Sequence, residues 1–245
     1  MRAVFAGVLV GGWAMAVAAH GAGLAHNENF IVVAADQTLA DEVLFKAERF
    51  RRDIAREWLE RELPPSVGRT IIHVEFSGAE DSGLTWAIDS PGRQYHKLWL
   101  GISSPETLDP LLAHEIAHIV FATRYPRRLP AWVEEGIASR YDGRQRVGVR
   151  RDILQWYAQT DNWPSLRPIV AASAVIAEDQ ATYSVSVSAT EYLLSLSDKA
   201  TLLAFAETAK TDGCDRALRR HYQIAGVDAL QRAWQRWAAE RLAGE

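Results

Sequence analysis

A polar run, His114-Glu115-Ile116-Ala117-His118, interrupts an otherwise apolar stretch between residues 111 and 121 of this 245-residue chain. On an α-helix, residues four apart lie on the same face, so both imidazoles can reach one metal ion. The apolar residues around the run predict a helix that is buried on most of its sides. Buried imidazole and carboxylate groups need partners, and a metal ion would supply them. The sequence therefore predicts a buried helix that carries a metal site.

Glu115 follows the first of these histidines and would lie beside a metal held by the pair. A carboxylate in that place, when it does not itself bind the metal, can take a proton from a water molecule on the ion. One helix thus carries the parts for zinc-dependent hydrolysis. The alternative is a chance pattern on an ordinary helix that contains a buried histidine.

The N-terminus has the layout of a secretory signal peptide. A basic start, Met1-Arg2, precedes an apolar run over residues 3–19, and small residues follow up to Ala25. We expect residues 1–25 to be a signal peptide, cleaved between residues 18 and 25, and the mature chain to be periplasmic or secreted. An uncleaved membrane anchor is the alternative, because the run is about as long as the shortest membrane spans. Beyond residue 25 we find no other stretch that could cross a membrane.

Composition gives no indication of a nucleic-acid partner. The formal net charge is −4, from 27 basic and 31 acidic residues. Arginines between residues 49 and 61 alternate with acidic residues, which predicts a solvated helix face and not an anion-binding surface. Cys214 is the single cysteine, so an intramolecular disulfide cannot form and the core must supply the stability. The sequence does not indicate an oligomeric state.

Strand and helix patterns alternate in the first half of the mature chain. They predict strands at 29–34, 69–76, 84–88 and 96–102, and one long amphipathic helix over 36–62. The next helix is predicted to begin with Asp109 as N-cap and Pro110 at the first helical position, and to end near Thr123. His73 and His96 fall in predicted strands and are interpreted as structural residues.

The second half of the chain is predicted to be helical. A short helix opens at 129–139, and a polar, glycine-containing loop follows over 141–148. Further helices are predicted at 152–158, 182–196, 198–210, 214–222 and 227–242. His221 falls near a helix end, where a cation suits the helix dipole, and is interpreted as structural. The sequence therefore predicts an α+β fold in which a small sheet packs on the helix that carries the two histidines.

A third ligand is expected on the short helix, which reads Trp132-Val133-Glu134-Glu135-Gly136-Ile137-Ala138. Here the chain resembles the gluzincin metallopeptidases, and more closely the peptidase-MA-like group, whose signature is H-E-x-x-H followed by a W-x-x-E-G-x-A helix. The resemblance implies that Glu135 binds zinc together with His114 and His118. Glu134 is the rival. Neighbouring residues lie about 100° apart around a helix, so only one of the two glutamates is expected to face the metal, and replacing Glu134 is expected to do little.

The resemblance also implies a zincin-like fold over residues 26–245. A sheet lobe would span about 26–125 and a helical lobe about 126–245, with the site in the cleft between them. In this group a tyrosine at the start of a helix faces the zinc, and in related peptidases a tyrosine stabilises the oxyanion. Tyr183 is the matching position. A tyrosine that only packs in the core is the alternative.

Two motifs of related families are absent from the sequence. The metzincin extension would need a glycine and a histidine where this chain has Phe121 and Arg124, and residues 78–81 match the aminopeptidase G-A-M-E-N motif only in part. We therefore expect an exported zinc metallopeptidase that acts on peptides or proteins, with no indication of aminopeptidase activity. Glu115 would be the general base for a zinc-bound water. The alternative is a non-catalytic binding or structural module on the same scaffold, and the intact Glu115 argues against it.

Overall fold

The computed structural model describes residues 22–65, 69–78, 81–90, 93–125, 129–176 and 179–244. The apolar N-terminal run lies outside these residues, and with it most of the predicted signal peptide. Within the described part of the chain, no helix combines the length and the apolar character needed to cross a bilayer.

The strands lie in the first half of the chain and the helices mostly in the second. The strands are β1 (Gly23–His26), β2 (Phe30–Ala34), β3 (Thr70–Phe76), β4 (Ser82–Ser90) and β5 (Arg93–Ile102). The helices are α1 (Gln37–Leu59), α2 (Pro105–Arg124), α3 (Ala131–Ala138), α4 (Arg144–Thr160), α5 (Leu166–Ala171), α6 (Gln180–Leu196), α7 (Lys199–Asp212), α8 (Cys214–Tyr222) and α9 (Val227–Ala243). A 3-10 turn, Ser139–Tyr141, joins α3 to the segment before α4.

The strands form one mixed sheet in the order β1-β2-β3-β5-β4. β2, β3 and β5 run parallel to their neighbours in this series, whereas β1 and β4 pair antiparallel with β2 and β5. The predicted α+β class is therefore confirmed. Within the described sheet, β4 pairs only with β5, so β4 is an edge strand.

The sheet packs one face against α1 and α2. Alternate residues of the strands, among them Val32, Ile72 and Leu98, are fully buried on this face, as the two-residue period of a strand requires. α1 begins at its N-cap Asp36, whose carboxylate accepts a hydrogen bond from the backbone N–H of Leu39. α2 packs against β4 and β5.

β1 extends the folded domain to residues that the sequence assigned to the signal peptide. Gly23 pairs with Ala34 in the antiparallel ladder. A Cβ on Gly23 would lie 1.9 Å from the carbonyl oxygen of Asp36, so the backbone there fits closely against the start of α1. Residues 23–25, which were assigned to the predicted signal peptide, therefore pair in the sheet.

α2 begins earlier than predicted. Pro105 occupies the first turn and Ser104 the N-cap position, so Pro110 lies inside the helix. A proline there removes one backbone hydrogen bond from the helix. The carboxylate of Asp109 is not a cap but pairs with Lys46 of α1, 2.5 Å away. The prediction was wrong because two residue pairs, Ser104-Pro105 and Asp109-Pro110, carry the same start signal.

The helical lobe matches the predicted order from α6 to α9, but α4 does not. Its residues 144–148 were predicted to be a loop, and α4 instead runs over 17 residues. α3 packs closely against α6, since a Cβ on Gly136 would lie 2.2 Å from the hydroxyl oxygen of Thr190. Trp132 of α3 is fully buried and packs edge-on against Phe205 of α7. These contacts fix α3 against α6 and α7, and α3 also packs against α2.

Candidate metal centre

α2 presents two histidines side by side. His114 and His118 are one helical turn apart, and both are buried. Their Nε2 atoms lie 3.3 Å from each other. Two ring nitrogens that converge on one point are arranged as a metal ion requires.

α3 brings Glu135 to the same point. One carboxylate oxygen lies 3.7 Å from Nε2 of His114, and the other lies 3.6 Å from Nε2 of His118. In a tetrahedral zinc site with bonds of about 2.0–2.2 Å, neighbouring donor atoms are about 3.3–3.6 Å apart. Within the described residues, these three side chains are the group that could hold a metal ion. The predicted ligand residues are thus brought together.

Glu134 also faces this group. Its carboxylate lies 3.0 Å from Nδ1 of His118, on the side of the ring opposite Nε2. Of the two glutamates, Glu135 alone joins the candidate ligands, as expected, because Glu134 meets the other nitrogen of the ring. Metal-binding histidines commonly donate their second N–H to a carboxylate, which fixes the ring and its tautomer. Glu134 occupies that orienting position.

Asp142 occupies the same orienting position beside His114. Its carboxylate lies 2.9 Å from Nδ1 of His114 and accepts a hydrogen bond from the buried guanidinium of Arg150. The sequence did not indicate this residue, since it follows the 3-10 turn in a stretch predicted to be a loop. A carboxylate separated from the motif by a turn carries no spacing signal.

The carboxylates set the charge of the site. Burial by itself would lower the pKa of His118, but the negative charges of Glu135, Glu134 and Glu115 outweigh it and raise the pKa to about 9. Burial would raise the pKa of Asp142, but its contacts with His114 and Arg150 hold that pKa below its ordinary value. The site is therefore built to stabilise positive charge, as a divalent cation requires.

Glu115 points toward the edge strand. Its Oε2 accepts a hydrogen bond from the hydroxyl of Thr85 in β4, at 2.5 Å. A Cβ on Gly83 would lie 2.3 Å from Oε1, so the absence of a side chain there leaves room for the carboxylate. Gly83 precedes the strand that was predicted at 84–88, so the sequence did not indicate this close approach.

Comparisons with known proteins add no assignment. No protein-family model matches the chain, and no curated protein is significantly similar to it. The interpretation of the site therefore depends on the positions and chemistry of its own side chains.

Tyr183 lies at the start of α6, near the candidate metal centre. Its hydroxyl is 2.7 Å from the hydroxyl of Ser139, and the guanidinium of Arg150 lies 5.9 Å from the centre of its ring. Burial, together with the charges of Asp142 and Glu135, raises the pKa of Tyr183 above its ordinary value. The phenol therefore stays protonated and can donate a hydrogen bond.

The three histidines that were interpreted as structural, His73, His96 and His221, are not among the candidate ligands. His73 stacks on Trp99 in the sheet, with ring centres 4.9 Å apart. His221 lies 2.9 Å from the hydroxyl of Thr208. His96 is buried on β5.

Proposed function

We propose that this protein is an exported zinc-dependent peptidase of the gluzincin type, with a zincin-like fold. The observation that carries the proposal is the convergence of His114, His118 and Glu135 next to a buried Glu115 that takes no part in the ligand group. A carboxylate beside a metal group, with its own hydrogen-bond donor, suits catalysis better than simple metal storage.

The donor set favours zinc over magnesium or calcium. Two imidazole nitrogens and one carboxylate are the donors of catalytic zinc sites, whereas magnesium and calcium prefer oxygen donors alone. Glu134 and Asp142, which orient the two imidazoles, supply the outer hydrogen bonds that such sites use. Zinc bound here would polarise a substrate carbonyl and make a water molecule more acidic.

Glu115 is the general base in this proposal. Its carboxylate accepts a proton from the attacking water and passes it to the leaving amine. The hydroxyl of Thr85 holds one carboxylate oxygen, and the bare backbone at Gly83 leaves space around the other. Tyr183 would donate a hydrogen bond to the developing oxyanion after its hydroxyl leaves Ser139.

The position of β4 supports a peptide substrate. Within the described sheet its outer edge has no strand partner, and Gly83 and Thr85 on this strand contact Glu115. An extended peptide can add to a free strand edge through backbone hydrogen bonds. A peptide bound along the edge of β4 would pass close to Glu115, the proposed general base.

A peptide-library digest of purified protein tests the proposed activity. We expect cleavage by the wild type, loss of cleavage with a metal chelator, and recovery when zinc is added back. If wild type and Glu115→Gln are equally inert on broad libraries yet bind the same partner equally well, the protein is a binding module and not a peptidase.

The export part of the proposal is tested by N-terminal sequencing of the mature protein. We expect cleavage before Gly23, because removal of residues 23–25 would delete most of β1 and leave β2 without its antiparallel partner. A mature protein that still begins at Met1 would contradict a cleaved signal peptide.

A further inference from the structure

A pocket of about 300 Å³ opens between α4, α6 and α9, on the helical lobe. Positively charged side chains outnumber negatively charged ones in its lining. Four arginines, Arg140, Arg150, Arg151 and Arg241, line it together with one glutamate, Glu191. Such an excess of guanidinium groups around a concave surface favours an anionic ligand.

Arg150 gives this pocket a fixed element. Its side chain is buried, and its guanidinium is held by the carboxylate of Asp142 and lies 3.4 Å from the carbonyl oxygen of Ser139. A guanidinium that is already immobilised loses little conformational entropy when it binds a further anion. Arg140 and Arg151 are exposed and can adjust to the ligand.

The rest of the lining is largely apolar. Leu154 of α4, Val187 of α6 and Trp237 of α9 line the same pocket. An inorganic anion would leave this apolar surface uncovered, whereas an organic anion with an apolar group would bury it. The volume suits a small molecule or the last residue of a peptide.

We propose that this pocket, the arginine pocket, binds a carboxylate attached to an apolar group. The carboxylate is held by the guanidinium groups, and the apolar group lies against Leu154, Val187 and Trp237. A free organic acid and the C-terminal residue of a peptide share this chemistry. The pocket adjoins the His114–His118–Glu135 group, because Arg150 also pairs with Asp142, but it shares none of these three residues and does not depend on the proposed hydrolysis.

Calorimetric titration of the full chain with benzoate tests the charge and the apolar part together. We expect benzoate to bind, benzamide to bind at least about tenfold more weakly because it lacks the charge, and acetate to bind more weakly because it lacks the ring. Equal binding of benzoate and benzamide would overturn the proposal, as would no binding of benzoate at millimolar concentration.

Variants locate the ligand. Arg151→Gln should weaken benzoate binding by about tenfold, the usual size for loss of one charge-assisted hydrogen bond. Arg56→Gln is the matched control, because Arg56 is an exposed arginine of α1 outside the pocket, and it should leave binding unchanged. The double variant His114→Ala, His118→Ala should still bind benzoate. Binding lost in this double variant but kept in Arg151→Gln would assign the carboxylate to the metal centre and overturn the proposal.

Two short peptides that end in phenylalanine distinguish the sources, one with a free C-terminal carboxylate and one with an amide. They are titrated into the double variant, which should not cleave them. Binding of the free-carboxylate peptide alone assigns the pocket to peptide C-termini, and binding of benzoate without either peptide assigns it to free organic acids. Equal binding of both peptides would overturn recognition of a carboxylate.

Discussion

The carboxylate of Glu134 lies 3.0 Å from Nδ1 of His118, while Glu135 approaches Nε2 of the same ring at 3.6 Å. Two consecutive residues of α3 therefore contact the two nitrogens of one imidazole. This relationship gives the two glutamates different tasks: Glu135 lies with the candidate ligands, and Glu134 orients one of them.

Metal affinity should separate these two tasks. We expect Glu135→Gln to abolish most zinc binding, because a candidate ligand is lost. Glu134→Gln should weaken binding by about 10- to 100-fold, the usual effect of removing an orienting partner. Competition with a chromophoric chelator measures both. A larger loss in Glu134→Gln than in Glu135→Gln would mean that the two roles are exchanged.

The metal content itself is predicted from the ligand set. Protein purified without chelator should carry about one zinc per chain, and the double variant His114→Ala, His118→Ala should carry almost none. His73→Ala is the control, because His73 stacks on Trp99 in the sheet and should not alter the zinc content. Elemental analysis decides, and zinc retained in full by the double variant would rule out this centre.

Loss of the general base should separate catalysis from metal binding. Glu115→Gln keeps the size of the side chain and can still bond to Thr85, but it cannot accept a proton. We expect hydrolysis to fall at least about 100-fold with zinc content and fold unchanged. Peptide cleavage assays with parallel metal analysis test this. Undiminished hydrolysis, or loss of zinc in the variant, would remove Glu115 from the role.

Tyr183→Phe should reduce kcat less than Glu115→Gln does, with little change in KM. One hydrogen bond to the oxyanion is lost, and water can replace part of it. Ser139→Ala serves as the comparison, because it removes the resting partner of the phenol and leaves the phenol itself. If Tyr183→Phe lowers thermal stability but leaves kcat unchanged, Tyr183 is a packing residue.

Gly136 should be sensitive to a single added methyl group. A Cβ there would meet the side chain of Thr190 at 2.2 Å, so Gly136→Ala should lower the free energy of unfolding by about 1–3 kcal/mol. Gly148→Ala is the control, because a Cβ at Gly148 in α4 would meet nothing within 4 Å. It should stabilise the helix by about 0.5–1 kcal/mol. Denaturant titration measures both, and equal effects would contradict close packing of α3 on α6.

Local sequence patterns predicted much of the secondary structure and the pairing of two candidate ligands. The strands around Val32, Ile72 and Leu98 and the helices from α6 onward follow their hydrophobic periods, and the helical spacing of His114 and His118 was enough to pair them. The short helix that carries Glu135 was also predicted, although its phase could not be chosen from the sequence without the family resemblance.

What the sequence could not give was contact between distant segments. Asp142 directly follows the 3-10 turn Ser139–Tyr141 and lies beside His114, and no local pattern encodes that approach. Thr85 meets Glu115 only after β4 pairs with β5. The start of α2 was misplaced for a different reason, since Ser104-Pro105 and Asp109-Pro110 carry the same local start signal and the first pair begins the helix.

The candidate ligands lie on two helices that are close in sequence, and this has a consequence for folding. An ion held by His114, His118 and Glu135 would cross-link α2 to α3 through a short loop, and closing a short loop costs little chain entropy. A metal ion that binds only the folded chain raises the free energy of unfolding. The increase is about 2.7 kcal/mol when the free metal concentration is 100 times the dissociation constant. Removal of the ion would therefore loosen the contact between α2 and α3, and resistance to proteolysis would fall together with the proposed activity.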